Sequence, residues 1–290
     1  MSDEQAQHTP RSLIVTFYGA YGRGAADGSG GAPGPVPVAA LIRLLGALGV
    51  DPPSVRSAVS RLKRRGLLVA ERTAAGAAAY GLSDAGRQLL EDGDRRIFGR
   101  PARPPAEGWV LAVFSVPEEE RHKRHLLRSR LARLGFGTAA PGVWIAPAHL
   151  YEETRHTLER LQLAAYVDLF TGTHAGFTPT AQAVARWWDL DALAARHRAF
   201  LAAHEPVLDR WTRRRSLPPE AAYRDYLLAL DAWRHLPYAD PGLPPALLPA
   251  DWPGGRAAEV FGRLHGKLRA AGARYVQEAT AGSFRTQDAG

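Results

Sequence analysis

The sequence predicts a multidomain α+β protein, and three features of the chain predict it. A short basic helix follows an apolar helix and a tight turn within the first hundred residues. The middle of the chain alternates strands and helices in the order βαββαβ, and the last third carries only helical patterns. With 290 residues, the chain is long enough to form two or three hydrophobic cores.

The run from Pro53 to Leu68, PSVRSAVSRLKRRGLL, has the pattern of a short capped helix. Ser54 occupies an N-cap position and Gly66 a C-cap position. Between them, apolar residues recur at helical spacing and form one stripe: Val55, Ala58, Val59 and Leu62. Because a helix this short is not stable alone, its apolar stripe must be buried and its opposite face must point outward.

The outward face of this helix carries hydroxyl, ammonium and guanidinium groups. Such groups donate hydrogen bonds to DNA phosphates and to guanine edges. An ordinary solvated basic helix face is the alternative interpretation, but the flanking segments favour DNA recognition. The predicted DNA-binding residues are Ser54, Arg56, Ser57, Ser60, Arg61, Lys63 and Arg64, together with Arg72 from the segment that follows.

The segments around the basic helix predict a winged helix-turn-helix domain over residues 1–93. Residues 12–21 predict a first helix, and residues 38–48 predict an apolar second helix. A short turn with an Asp-Pro-Pro breaker then leads into the basic helix. An apolar helix, a short turn and a basic helix follow one another in this way in a helix-turn-helix.

The wing is predicted from two short extended runs, residues 67–73 and 78–82, which indicate a β-hairpin. Ser83 then begins another helix. Between the first two helices, the Gly-rich stretch 22–35 predicts a surface loop. This stretch does not predict a phosphate-binding loop, because neither a Lys-Ser/Thr pair nor a helix follows its glycines directly.

A basic, proline-containing linker is predicted at residues 94–108, before a ferredoxin-like middle domain over residues 109–175. The elements of the βαββαβ pattern are predicted at residues 109–116, 118–134, 136–139, 143–146, 150–163 and 165–170. Residues 176–290 predict a helical C-terminal domain. Its candidate helices cover residues 181–203, 217–235 and 257–279.

Composition limits the classes of function. The net charge of +8 arises from 37 Lys and Arg against 29 Asp and Glu, and five of those cations lie within residues 56–65. A local basic patch indicates a specific polyanion site. The absence of cysteine excludes disulfides, cysteine-ligated zinc and thiol catalysis. Without a signal peptide or an apolar run of membrane-spanning length, we expect a cytoplasmic protein that binds no membrane.

In several segments the sequence resembles the PaaX-like family of bacterial repressors, which control phenylacetic acid degradation and related aromatic catabolism. No single segment is diagnostic, but their order along the chain is a specific signal. The segments are Val55–Leu62, Gly66-Leu67, Tyr80–Gly86, Trp109–Pro117, Arg124–Leu134, Gly135-Phe-Gly137, Gly142–Pro147, Trp188-Asp-Leu190, Asp240–Pro244, Leu247–Gly254 and Arg256-Ala257. The Gly-rich stretch 22–35 departs from the family pattern.

The resemblance implies a winged-helix domain, a middle domain similar to the CRISPR adaptation nuclease fold, and a helical C-terminal domain. It also implies a homodimer that binds double-stranded operator DNA and is released by an aryl-CoA effector such as phenylacetyl-CoA, with no other cofactor. We therefore expect a transcriptional regulator, a repressor of aromatic-compound catabolism, that is not an enzyme. A regulator that responds to a protein partner is a further alternative.

A metal-dependent nuclease that uses the middle domain is the alternative from another class. Such an enzyme needs a carboxylate at the end of its first strand to hold Mg²⁺, but no acid occurs there before Glu118. His122 and His125 share a helix face without a third ligand at metal spacing, so no metal site is predicted. Ser115 and Ser129 lack the Gly-x-Ser-x-Gly context of a nucleophile, so no catalytic residue is predicted.

The effector-binding residues are not predicted. An aryl-CoA site needs arginine for its phosphates beside an apolar pocket for its ring. The run Arg213–Arg215 could supply arginine for the phosphates, but these residues are equally well explained as a solvated run of charges. Core packing likewise explains the tryptophans of the last third, which are Trp187, Trp188, Trp211, Trp233 and Trp252.

Overall fold

The computed structural model describes residues 8–23, 35–73, 76–99 and 108–285. It shows a multidomain chain of mixed α and β structure, with two small sheets and a helical C-terminal part. The predicted surface loop therefore lies largely outside the described residues, as do residues 100–107 of the predicted linker.

The described residues between 8 and 99 form four α-helices and a small antiparallel sheet. The helices are α1 (Pro10–Tyr21), α2 (Val38–Gly46), α3 (Pro52–Arg64) and α4 (Asp84–Ile97), and the strands are β1 (Val36–Pro37), β2 (Leu68–Arg72) and β3 (Ala78–Leu82). The strand order is β1-β3-β2. The predicted helices and hairpin are confirmed, whereas β1 was not predicted. Two residues ending in proline carry too little pattern to indicate a strand.

Residues 109–187 form a four-stranded sheet and three helices. These elements are β4 (Trp109–Phe114), α5 (Arg121–Arg133), β5 (Gly137–Ala140), β6 (Val143–Pro147), α6 (Tyr151–Arg160), β7 (Val167–Gly172) and α7 (Thr180–Trp187). The strand order is β5-β6-β4-β7, and all neighbours are antiparallel. Successive side chains of β4 point to opposite faces of the sheet. Val110 and Ala112 are buried on one face with Leu131 of α5. Trp109 packs against Val184 and Trp188 on the other face.

The remaining helices are α8 (Leu190–Thr212), α9 (Pro219–Trp233), α10 (Leu236–Ala239) and α11 (Gly254–Arg285). The prediction of one helix over residues 181–203 is wrong, because the chain extends at Trp188 between α7 and α8. The Trp188 indole N–H donates to the carbonyl of Gly135 at 2.9 Å. The Asp189 carboxylate then accepts from the backbone N–H of Ala192 at 2.9 Å, so it caps α8.

The chain forms two compact units, and each combines separate parts of the sequence. The first unit comprises residues 1–97, 200–234 and 256–290, and the second comprises residues 98–199 and 235–255. In the first unit, one apolar core joins α1, α2 and α3 to residues of α9 and α11, namely Tyr223, Leu227, Tyr275, Val276 and Ala279. The predicted domain boundaries stay predictions. The predicted linker begins too early, because its residues 94–97 belong to α4.

Candidate nucleic-acid interface

Helix α3 begins earlier than predicted. Asp51 is its N-cap residue, with extended backbone angles and a carboxylate oxygen 2.8 Å from the Ser54 backbone N–H. Pro52 follows at the first helical position, where no N–H is needed. The prediction of Ser54 as the N-cap is therefore wrong. An Asp-Pro pair ahead of a helix is itself a start signal, so the sequence contained the evidence for Asp51.

The end of α3 is defined by a reversal of the backbone at Gly66. Its φ angle of 70° lies in the left-handed region that favours glycine. The N–H of Gly66 donates to the Lys63 carbonyl at 2.9 Å, and the N–H of Leu67 donates to the Leu62 carbonyl at 3.1 Å. These two bonds form a Schellman motif. The chain therefore passes directly from α3 into β2.

The predicted apolar stripe of α3 is confirmed. Its four residues, Val55, Ala58, Val59 and Leu62, are at most 4 % exposed and belong to the core that also contains α1 and α2. Because this stripe is buried along the full helix, α3 can present only its opposite face to solvent.

The outward face of α3 is polar, cationic and free of acids. The predicted residues Arg56, Ser57, Ser60, Arg61, Lys63 and Arg64 are exposed, and Ser54 is half-buried. The Arg61 guanidinium donates to the Ser57 hydroxyl at 2.9 Å, one turn away. Arg65 is also exposed, at the C-cap, and is not among the predicted DNA-binding residues. Among the described residues, no carboxylate pairs with the cations of this face, so their charge is available to an anionic ligand.

Arg72 lies at the end of β2, on the hairpin that follows α3. It is exposed, and its guanidinium donates to the Gly76 carbonyl at 2.7 Å across the hairpin loop. One of its donor nitrogens is therefore engaged within the hairpin, and the rest of the guanidinium faces solvent. The structure thus provides two separate groups of predicted residues: a row on α3 and a single cation on the hairpin.

The Asp51 cap leads to a testable prediction on stability. Hydrogen bonds from Ser54 hold the pKa of the Asp51 carboxyl below its usual value. Its contribution to stability is therefore present at neutral pH and lost as the pH falls through this lowered pKa. We expect Asp51→Ala to lower the thermal unfolding midpoint at pH 7 by a few degrees, because it leaves N-terminal N–H groups without an acceptor.

Asp51→Asn is the control for this measurement, because asparagine caps helices equally well but does not titrate. Its unfolding midpoint at pH 7 should stay near that of the native chain, and its acid dependence should be weaker. Equal midpoints for the alanine and asparagine variants would contradict the assignment of the cap.

The structure provides no support for the nuclease alternative. Strand β4 ends at Phe114, and Glu118 beyond it pairs with Arg124 at 3.2 Å. His122 and His125 are exposed on α5. Within residues 8–23, 35–73, 76–99 and 108–285, no group of three or more His, Asp or Glu side chains is placed to hold a metal ion.

The candidate effector residues are divided between the two units. The run Arg213–Arg215 is exposed after α8, with the Arg214 guanidinium 5.3 Å from the centre of the Trp211 ring. Trp211 and Trp233 belong to the first unit, whereas Trp187, Trp188 and Trp252 belong to the second. A small apolar pocket in the first unit has no charged residue in its lining, which is Ile14, Val15, Tyr18, Leu62, Leu67, Leu68, Leu82, Gly86, Leu89 and Leu90.

Comparison with known proteins matches three family models to the chain in succession. They are the PaaX-like protein model over residues 9–86, the PaaX protein central Cas2-like domain over residues 102–184, and the PaaX-like protein C-terminal domain over residues 188–278. The transcriptional repressor PaaX of Escherichia coli K12 is 28 % identical over 273 residues, which cover 92 % of this chain and 83 % of that protein.

A solved structure of an uncharacterised protein from Mycobacterium tuberculosis is similar along most of the chain. The TM-score is 0.60 at 25 % sequence identity, and the match covers 94 % of this chain and 99 % of the other. Of the helices in the described residues, none is both long and apolar enough to cross a membrane.

Proposed function

The chain belongs to the PaaX-like family, and on this basis we propose that it is a sequence-specific DNA-binding repressor of aromatic-compound catabolism. Similarity to a transcriptional repressor supports a role as a transcription regulator. The main support for DNA binding is the outward face of α3, which is exposed, cationic and free of acids along the whole helix. A solvated helix face usually mixes charges of both signs.

The first unit is proposed to contain a winged helix-turn-helix, with α3 as recognition helix and the β2–β3 hairpin as wing. In this arrangement the row from Ser54 to Arg64 enters the major groove, and Arg72 contacts the phosphate backbone. Hydroxyl and guanidinium donors on one helix face supply both kinds of contact. A two-fold homodimer would then contact half-sites about 34 Å apart, or a multiple of that distance.

The second unit is proposed to contain a ferredoxin-like domain. The antiparallel order β5-β6-β4-β7 supports this assignment, because it places the first and third strands of the βαββαβ succession side by side at the centre of the sheet. No catalytic role is assigned to this domain in the proposal.

The proposed effector is an aryl-CoA thioester, such as phenylacetyl-CoA, that releases the protein from its operator. The test is a mobility shift on the chain's own upstream promoter, titrated with a panel of acyl-CoA thioesters in the presence of Mg²⁺. We expect a shift that an aryl-CoA reverses and that free CoA and acetyl-CoA leave unchanged, with the DNA recovered intact.

Each outcome of this titration has a different consequence. Absence of a shift at the promoter contradicts the proposed regulator at that site. A shift that no thioester reverses contradicts the proposed effector and favours control by a protein partner. DNA cleavage that EDTA prevents would favour the nuclease alternative instead.

A further inference from the structure

Helix α5 of the second unit is unusually basic for a solvated helix. Its thirteen residues, RHKRHLLRSRLAR, contain six Lys or Arg residues, two histidines and no acid. Leu127 and Leu131 on its inner face are fully buried against the sheet. The opposite side of the helix is therefore the one that can present cations to solvent.

The exposed residues of α5 share one side of the helix. At 100° per residue they fall within an arc of about 140°, and they are Arg121, His122, His125, Arg128, Ser129, Ala132 and Arg133. Arg121, His125 and Arg128 follow one another at i, i+4 and i+7, which is a row about 10 Å long. We call this set of exposed residues the α5 face.

The acids that precede α5 neutralise cations outside this face. Lys123 pairs with Glu120 at 2.7 Å, and Arg124 pairs with Glu118 at 3.2 Å. Glu119 is also exposed in the turn before the helix. In the part of the chain that the structure describes, neither Arg121 nor Arg128 lies within salt-bridge distance of a carboxylate. Arg121 and Arg128 therefore give the α5 face positive charge that no described carboxylate compensates.

Helix α6 in the same unit shows what a solvated face usually contains. Its Arg155 pairs with Glu152 at 3.1 Å and with Glu159 at 2.8 Å, so the positive charge of Arg155 is compensated locally. The position of Arg121 adds to the contrast. A cation in the first turn of a helix is repelled by the positive end of the helix dipole. An anionic ligand would be attracted by the dipole and by the cation. The position of Arg121 therefore does not stabilise the helix, but it favours the binding of an anion.

We propose that the α5 face is a second DNA contact, which binds the phosphate backbone without reading sequence. The inference rests on the proposed function, because it assumes that the chain binds double-stranded DNA. Phosphates along one strand form a row of fixed negative charges, and a row of cations on a helix can neutralise several of them. Such a contact raises affinity for all DNA and makes binding more dependent on salt.

The experiment compares the native chain with an Arg121→Ala/Arg128→Ala variant on operator DNA over a range of salt concentrations. Losing two phosphate contacts should reduce the slope of log K against log [salt] by about 1.8, since each contributes about 0.9. At 0.1 M salt the Kd should rise by roughly ten- to a hundredfold. Preference for operator over unrelated DNA should be unchanged.

The matched control is Arg160→Ala/Arg196→Ala, which removes two exposed cations of the same unit from outside the α5 face. Its salt slope should equal that of the native chain. Circular dichroism checks that all variants are folded. If the alanine variant does not fold, Arg121→Gln/Arg128→Gln provides a second form of the test. Equal slopes for the native chain, the control and the α5 variant would overturn the inference.

Failure of this inference and failure of the proposed function are distinguishable. If the native chain does not bind DNA, the proposed function is wrong. If the native chain and the control bind and the α5 variant binds with the same salt slope, only the second contact is wrong. An α5 variant that binds DNA normally but no longer responds to an acyl-CoA would assign the face to the phosphates of the thioester, and would also overturn the proposal.

Discussion

Replacing Arg61 and Arg64 together with alanine is expected to abolish operator binding while hardly changing thermal unfolding. Both side chains are exposed on the outward face of α3, and neither contributes to the buried stripe. A well-placed arginine contact to a base contributes about 1–3 kcal/mol. Losing two should therefore weaken operator binding by about two to four orders of magnitude, measured by mobility shift at physiological salt.

The matched control for this prediction is Arg213→Ala/Arg215→Ala. It removes the same charge from exposed positions of the same unit, after the end of α8. The control should lose only the general electrostatic part of the affinity, and it should keep its preference for operator DNA. If the Arg61/Arg64 variant still shifts operator DNA as the control does, α3 is not the recognition helix.

Replacing Asp231 with alanine is expected to have the largest effect on stability. This carboxylate on α9 is fully buried in the first unit. The hydroxyls of Ser12 and Thr16 on α1 each donate to its Oδ1 at 2.6 Å, and the His8 Nδ1 lies 2.8 Å from its Oδ2. Alanine would leave the buried Thr16 hydroxyl and the half-buried Ser12 and His8 side chains without this partner, so we expect a loss of about 3–5 kcal/mol in the free energy of unfolding of the first unit.

Urea denaturation at pH 7 measures this loss, with Asp209→Ala as a control at an exposed position in the first unit. In a chain that already carries Ser12→Ala and Thr16→Ala, the same change at Asp231 should cost less, because the donors are gone. Equal costs in both backgrounds would contradict the role assigned to the hydroxyls.

The titration of Asp231 gives a second test of the same interactions. Burial alone would raise the pKa of its carboxyl, but hydrogen bonds from His8, Ser12 and Thr16, and the charge of Arg234, lower it overall. The stability that Asp231 provides is therefore present at neutral pH and lost as the pH falls through the lowered pKa. The variant should show a weaker loss of stability in acid than the native chain.

Much of the candidate site follows from the sequence. The spacing of Val55, Ala58, Val59 and Leu62 identifies the buried side of α3, and the exposed side follows by exclusion. Helical periodicity is a local property, because residues three and four apart always share a face. The exposed face was therefore predictable, whereas the predicted N-cap was Ser54 and the observed N-cap is Asp51.

The arrangement on α5 was harder to predict from the sequence. Lys123, Arg124 and Arg128 all lie on one predicted helix, and helical spacing alone does not show which of them pairs with an acid. The structure separates them, because Glu118 and Glu120 pair with Arg124 and Lys123 and leave Arg128 without a carboxylate among the described residues. Which cation pairs with which acid depends on a 3₁₀ turn, Glu118–Glu120, that precedes α5, and helical periodicity does not indicate that turn.

The sequence by itself determined most of the succession of helices and strands, the buried side of α3 and the excess of positive charge on its outward side. Only the tertiary structure decided that α9 and α11 complete the core around α1, and that Asp231 binds Ser12 and Thr16 from more than two hundred residues away. The physical reason is that periodicity and capping act within a few residues, whereas a buried carboxylate is stabilised by whichever donors folding brings to it. No local pattern around Ser12 or Thr16 indicates that their hydroxyls face an acid and not solvent.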